Sequence, residues 1–226
     1  MLGLEHVLGV YSTSFTQEVP ASSVDNFEIP GGKTTTSSTR FSVLGVDDPG
    51  LFTSPKLALD VAASPPLTLG GSFFFYTTSS STEVELGGST EDGNEESTVS
   101  GFGINPRIGV ALNDEPIFWL RAGIAYASRT TTYTSTIPSE VGERQFEFET
   151  TLSATALSLE AILFYMPEER GFGFGVGPAV YIPVSTSYEA KVSGDGDLNG
   201  NGNGSDSETE YSVMSWLIAA SGYFGF

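Results

Sequence analysis

Trp216-Leu-Ile-Ala-Ala-Ser-Gly-Tyr-Phe-Gly-Phe226 closes the chain, alternating its larger apolar side chains with small ones up to the last residue. Soluble domains ordinarily finish in a polar, frayed tail, because terminal residues have little to pack against. An apolar terminal strand has to be tied into a closed sheet or covered. The fold therefore turns on whether the rest of the chain supplies strands for this one to close against.

Three segments supply them, each an alternating strand, a tight polar or proline-containing break, and a second alternating strand. They are Leu57–Val61 to Leu67–Phe73 across Pro65-Pro66, Phe102–Val110 to Phe118–Ile124 across Asn113–Pro116, and Leu157–Ala161 to Phe172–Val176 across Pro167–Arg170. An opening strand near Leu4–Ser14 and a closing strand near Tyr211–Phe226 bring the expected count to eight. The segment 17–55 leaves ten as the alternative: Arg40–Val46 reads either as the top of strand two, interrupted at Asp47-Asp-Pro-Gly50, or as a separate hairpin.

Composition narrows the classes. The 226 residues carry 28 acids against 9 bases, a formal charge of -19, which excludes nucleic acid as a partner, since its binding depends on clustered Lys and Arg. With no cysteine there is neither a disulfide framework nor a thiolate metal site. No apolar run approaches the roughly 18 to 20 residues of a membrane helix, yet mean hydropathy is near zero despite the acid load. Short alternating spans produce that combination in a membrane barrel. Met1–His6 shows no basic region, apolar stretch or cleavage site, so the expectation is a mature form or an incomplete start.

Side chains on a strand alternate faces, so the assignment can be tested by parity. One face collects Leu57, Leu59 and Val61; Leu67, Leu69, Phe73 and Phe75; Phe102, Ile104, Ile108 and Val110; Phe118, Leu120 and Ile124. It continues with Leu157, Leu159 and Leu163; Phe172, Phe174, Val176, Val180 and Ile182; and Met214, Trp216, Ile218 and Phe224. None is charged. The charges within the spans, Glu5, Lys56, Asp60, Arg107, Arg121 and Glu160, all take the opposite parity. A Lys or Arg facing lipid at the midplane costs about 2–4 kcal/mol, so these six are expected inside as a mixed-charge lumen network. The remaining inward positions, such as Gly70, Ser72, Asn105, Gly109, Ser158, Gly175 and Tyr181, predict a small, polar lining. A soluble barrel would invert the arrangement, with an apolar lumen and a polar exterior.

Strands that leave the short breaks run into Ser and Thr, as at Thr77–Thr82, Arg129–Ser135 and Ser185–Ser187. Threonine favours strands, so these tracts read as wall continuing beyond the bilayer; a low-complexity linker is the competing reading.

The terminal Phe226, the aromatic two residues before it, the parity and the alternation of short turns with long acidic connections resemble the small bacterial outer-membrane β-barrels of the OmpX/OmpA type. The resemblance implies an all-β, antiparallel, up-and-down transmembrane barrel of a Gram-negative outer membrane, with short periplasmic turns and long acidic extracellular loops. It covers nearly the whole chain, read as a single domain 1–226, apart from segment 17–55. It further implies outer-membrane lipid as the surroundings, a monomer, and recognition by the barrel-assembly machinery through Trp216, Ile218, Phe224 and Phe226. The expected role is structural or surface interaction through the protruding acidic loops; a lipid-modifying enzyme or a narrow pore is the alternative, and a soluble calcium-binding β-protein a more distant one.

Two loops could carry chemistry. Asp195, Asp197, Asn199, Asn201 and Asp206, with Gly200 at the turn position, approximate a twelve-residue calcium loop, although it ends in Asp where Glu would reach further and no helices flank it. Calcium is the only cofactor the sequence raises. The segment 83–96 holds Glu83, Glu85, Glu91, Asp92, Glu95 and Glu96 without a base, which reads as a solvated charge tuft, or else as a site for divalent-cation bridging to the anionic outer leaflet or for docking a basic partner. Catalysis is not expected: His6 is the only histidine and no Ser or acid stands with it in a recognisable motif.

Overall fold

Leu2 pairs antiparallel with Phe224, and that pairing closes the sheet on itself. In this computed structural model the described residues are 1–19, 22–24, 27–29, 32–43, 51–84, 93–112, 117–139, 142–165, 167, 171–194 and 210–224. The strands are β1 (Leu2–Val19), β2 (Ser22–Val24), β3 (Phe27–Ile29), β4 (Gly32–Val43), β5 (Lys56–Ser64), β6 (Leu67–Val84), β7 (Gly93–Leu112), β8 (Ile117–Ser139), β9 (Gly142–Tyr165), β10 (Phe172–Gly194) and β11 (Glu210–Phe224). Strand order is β11-β10-β9-β8-β7-β6-β5-β1, closed by β11 on β1, so the ring has eight members.

The eleven segments reconcile with eight wall positions at strand two. β4 runs along Leu8–Val19 of β1 and β5 along Leu2–Glu5, so both lie on the same edge of β1, one above the other. Arg40–Val43 is thus the top of strand two, interrupted before Lys56, and the separate pair β2–β3 is a small hairpin outside the ring. Among the described residues, no pairing joins β4 to β6 above Phe73, where β5 ends its contact with β6. The excursion returns through Leu51–Ser54, which are buried.

β1 breaks register at the same height, between Leu4 and Leu8. His6 there has φ 57°, the left-handed region that non-glycine residues seldom occupy. This bulge turns His6 inward beside Glu5, so two consecutive residues are buried where a regular strand would expose one.

The lower wall sorts its side chains by the period-two rule. Leu59, Ile108, Ile124 and Ile218 are more than half exposed on the outside, whereas Asp60, Arg107, Arg121 and Glu160, on alternate positions of β5, β7, β8 and β9, are buried inside. The interior holds more aromatics than a small polar lining allows, which corrects that expectation. Trp119, Phe164, Tyr223, Phe74 and Tyr181 are all buried inward, because large rings lie across glycines of the neighbouring strand. A Cβ at Gly173 would stand 2.7 Å from the Phe164 ring, and one at Gly101 2.6 Å from the Tyr76 ring.

The Ser/Thr tracts are strand. β9 has 24 residues, roughly 80 Å of strand at about 3.3 Å per residue. At a tilt of about 40° this is roughly 60 Å of height, well beyond an apolar belt of about 25 Å. β8 and β9 keep one register from Ile117↔Phe164 to Ser139↔Gly142, so parity carries unbroken along this pair, whereas β10 shifts by one residue between Pro183 and Ser185. Beyond Tyr126 the outer face turns polar. The lipid-side parity becomes Ser128, Thr130, Thr132 and Thr134 on β8 and Ser153, Thr151, Glu149 and Glu147 on β9, with Ser128–Ser153 and Thr130–Thr151 hydroxyl bonds of 2.8 and 3.1 Å. The lumen-side parity is mixed, with Ala127, Tyr133, Ala154, Leu152 and Phe148 alongside Arg129, Thr131, Ser135 and Thr150.

Candidate functional site

Glu5 is the hub of the lumen. It is fully buried at the bulge of β1, and its two oxygens accept from Arg107 Nη1 at 2.8 Å and Nη2 at 2.7 Å, from Arg121 Nη1 at 2.6 Å and from the Tyr223 hydroxyl at 2.6 Å. Asp60 accepts from Arg107 Nε at 3.0 Å and Nη2 at 2.5 Å. Glu160 pairs closely with Arg121 Nη2 and lies 3.6 Å from Arg107 Nη1. The register places Arg121 directly opposite Glu160. Lys56 completes the set, donating to the Tyr181 hydroxyl at 2.7 Å, and Tyr181 in turn donates to Glu160 at 3.3 Å.

All six charges identified in the sequence therefore meet in one layer, three acids against three bases. Buried charges persist only when paired and hydrogen-bonded, and here the formal sum is zero. The chain's -19 consequently sits entirely outside this layer.

The layer is closed above and below. On the turn side Trp119, Phe164 and Tyr223 pack with ring centroids 5.2 to 6.3 Å apart, and Arg121 stacks on Trp119 at 4.6 Å. On the other side Phe52 stacks on Tyr181 at 5.0 Å, joining Leu51, Phe74 and the alanines 125, 127, 154, 156, 179 and 219 in an apolar plug. That plug was not legible in the sequence, and it makes the middle of the lumen apolar. His6, also missed, lines a space of about 10 Å³ with Arg121, Glu160 and Ser221, room for about one water. Its Nδ1 and the Arg121 Nε have no protein partner, while its backbone N–H donates to Ser221 Oγ at 3.3 Å. By contrast a concavity of about 490 Å³ lies on the outside of the wall, where small residues such as Ala122, Ala161 and Pro178 indent the lipid-side face.

Above the plug lie three further lumen-side aromatics. Tyr133, Phe148 and Tyr188 take lumen-side positions yet are 37, 43 and 40 % exposed, so they border open water. Tyr133 hydrogen-bonds Glu95, and that bond, together with the carboxylate's charge and modest burial, raises its phenol above the ordinary value. On the outer face Lys191 bridges Glu189 at 3.1 Å and Glu149 at 3.7 Å, which raises its ammonium pKa.

The other sequence candidates divide by position. Trp216, Ile218 and Phe224 point outward and are 42, 51 and 54 % exposed; Phe226 lies outside the described residues. So do Asp195, Asp197, Asn199, Asn201 and Asp206 of the calcium-like loop, and Glu85, Glu91 and Asp92 of the acidic segment. Among the described residues no group of three or more His, Cys, Asp or Glu is placed to hold a metal.

No family model matches the chain, and no curated protein does. Several solved structures are similar to it. Acinetobacter baumannii CarO is 13 % identical, with 75 % of this chain and 92 % of that one covered and a TM-score of 0.39. The outer-membrane protease OmpT from Escherichia coli is 9 % identical, with 99 and 96 % covered and a TM-score of 0.39. Ail, the attachment invasion locus protein of Yersinia pestis, solved with the heparin analogue sucrose octasulfate, is 12 % identical, with 95 and 99 % covered and a TM-score of 0.30.

Proposed function

We propose that this chain is an outer-membrane β-barrel that serves as a closed platform, presenting an acidic, strand-built surface outside the cell, and that it is not a conduit. The observation that carries the reading is the lumen: a neutral layer of six charges between an aromatic trio and an apolar plug, beneath a wall that continues far past the apolar belt. Eight strands enclose just enough space for side chains to fill. The short turns then lie on the periplasmic side and the long acidic connections outside, the arrangement usual for such barrels. His6, the one histidine, is buried in the lumen and contacts the charge layer, which supports a structural role for it over a catalytic one at the outer leaflet.

The test is reconstitution. The chain folded into lipid vesicles should migrate faster on a denaturing gel before heating than after, and in planar bilayers should give no discrete conductance steps. Stable ion-conducting steps from heat-shifting material would overturn the closed-platform reading, and aqueous solubility without detergent would overturn the membrane reading.

A further inference from the structure

The seam that closes the barrel is irregular beside the charge layer. Leu4 of β1 faces Gly222 of β11 and Leu8 faces Ala220, so residues 5 to 7 stand against Ser221 alone. There the His6 N–H donates to Ser221 Oγ at 3.3 Å, a side-chain bond where a regular pair would make a ladder bond. Against this bond lies the space of about 10 Å³ lined by His6 and Ser221 of the seam and by Arg121 and Glu160 of the charge layer. Small residues of β10 make the room: Gly175 also lines it, and a Cβ there would stand 2.7 Å from Ile162 Cγ2.

Three of the lining side chains carry buried polar atoms that lack a hydrogen-bond partner. They are His6 Nδ1, Arg121 Nε and Glu160 Oε2, the last held by its ion pairs with Arg121 and Arg107 alone, on residues 8, 3 and 5 % exposed. Atoms left unmet in a low-dielectric interior are costly. Size, charge and polarity each narrow what can meet them. The volume admits one molecule the size of water. A charged guest would unbalance a layer of three acids and three bases, and buried charge persists only when paired. An apolar guest would leave all three atoms unmet.

Water fits the count of donors and acceptors. A guanidinium Nε can only donate, a carboxylate oxygen only accepts, and Ser221, whose oxygen accepts from His6, keeps its own proton to give. A water oxygen accepting from Arg121 Nε and Ser221 Oγ, with its hydrogens given to Glu160 Oε2 and His6 Nδ1, makes four bonds, the full complement of a buried water. We infer that this space is a binding site for a single water molecule, which ties the bulged closing seam of β1 and β11 to the Arg121–Glu160 pair of β8 and β9. The imidazole is then neutral, with its proton on Nε2.

The inference stands on the lumen geometry and goes beyond the closed-platform reading, so ion conductance, which would refute that reading, does not bear on it. The full chain, with 15N-labelled histidine, is folded into nanodiscs of deuterated lipid, the heat shift on gels is verified, and water-to-protein cross-peaks are recorded by rotating-frame NMR. His6 is the only histidine, so its ring needs no assignment. The expected result is a direct dipolar cross-peak between water and the His6 ring, with Nδ1 unprotonated. The cross-peak should be lost in Ala219→Val, whose added methyls take up the space that Ala219 lines, and kept in the outer-wall control Thr132→Ala. Should Ala219→Val fail to fold, a crystal structure of the wild type decides: one water-sized density peak about 2.7–3.2 Å from both Arg121 Nε and His6 Nδ1 supports the site. A His6 ring without a water cross-peak in heat-shifting protein, a protonated Nδ1, a cross-peak that survives Ala219→Val and so arises from an exchanging hydroxyl, or density that is missing or larger than a water would each overturn the inference.

Discussion

Replacing Arg121 by Leu should be among the most damaging single changes in the lower barrel. Arg121 is 3 % exposed, donates to Glu5 at 2.6 Å and to the Tyr223 hydroxyl at 3.2 Å, and forms the closest ion pair of Glu160. A guanidinium cannot shed its proton to escape burial, so the wild-type layer balances only with its acids ionised. Leucine leaves Glu160 facing Arg107 at 3.6 Å and the Tyr181 hydroxyl at 3.3 Å, and leaves the layer with one acid in excess. Removing one partner of a buried pair costs about 3–5 kcal/mol, most of it from the charge left behind. With a urea slope of about 2 kcal/mol per molar, the unfolding midpoint should fall by roughly 2 M. The assay is reversible urea unfolding in lipid vesicles, read by tryptophan fluorescence and by the gel heat shift. The companion variant Arg121→Leu/Glu160→Leu removes the stranded acid with its partner, so its cost should be smaller than the sum of the single costs by about 1–3 kcal/mol. An unchanged midpoint in Arg121→Leu, or strict additivity in the double variant, would falsify the claim that this layer is held by mutual charge compensation.

The rest of the barrel yields sharper contrasts. Phe52→Ala removes a side chain that is 1 % exposed and stacked on Tyr181; a loss of about 3–5 kcal/mol is expected in the same urea assay, and equal stability would mean the plug packs loosely. Gly173→Ala places a methyl 2.7 Å from the Phe164 ring and 2.8 Å from the Tyr165 carbonyl, whereas Gly222→Ala meets nothing closer than 3.3 Å. The first should cost about 1–3 kcal/mol by overpacking and the second much less, a difference measurable as separate unfolding midpoints. Ile108→Lys puts an ammonium on the lipid-side belt and should cost about 2–4 kcal/mol. Thr132→Lys, on the same parity beyond Tyr126, should be nearly silent, and similar costs at the two positions would remove the distinction between belt and upper wall.

Much of this was legible along single strands. A period of two plus the cost of a charge in lipid is enough to send Asp60, Arg107, Arg121 and Glu160 inward, and the strand order alone predicts Arg121 beside Glu160, which the register places opposite one another. What escaped is what depends on relations between strands or on departures from the period. The inward aromatics Trp119, Phe164 and Tyr223 occupy positions that parity marks as lumen, but their fit depends on glycines of adjacent strands, such as Gly173 under Phe164. His6 escaped because a bulge breaks the parity on which the reading relied; the one sequence hint is that histidine tolerates a left-handed backbone better than most residues. Leu51 and Phe52 lie in an excursion that no periodicity marks, so the plug became visible only once the two halves of strand two, β4 and β5, were seen on one edge of β1.

The period-two code changes along these strands: below Tyr126 it sets apolar residues against ionic ones, and beyond it a polar outer face against a mixed inner one in which Tyr133, Leu152 and Phe148 alternate with Arg129, Thr131 and Thr150. In the lower wall the surroundings are apolar and the charges must turn inward, where only mutual pairing makes their burial tolerable. In the upper wall water lies on both sides, so a polar exterior needs no compensation, but Tyr133, Phe148 and Tyr188 facing an open interior gain little from exposure that is 37 to 43 % of their surface. The plug sits at the junction and shields the charge layer from above, with one buried ring, Phe52, stacked on the Tyr181 whose hydroxyl accepts from Lys56. A change at Phe52 should therefore be felt below it, as lost stability of the charge layer that Tyr181 joins through Lys56 and Glu160, whereas Tyr133→Ser, far above the plug, should leave that layer's unfolding midpoint nearly unchanged.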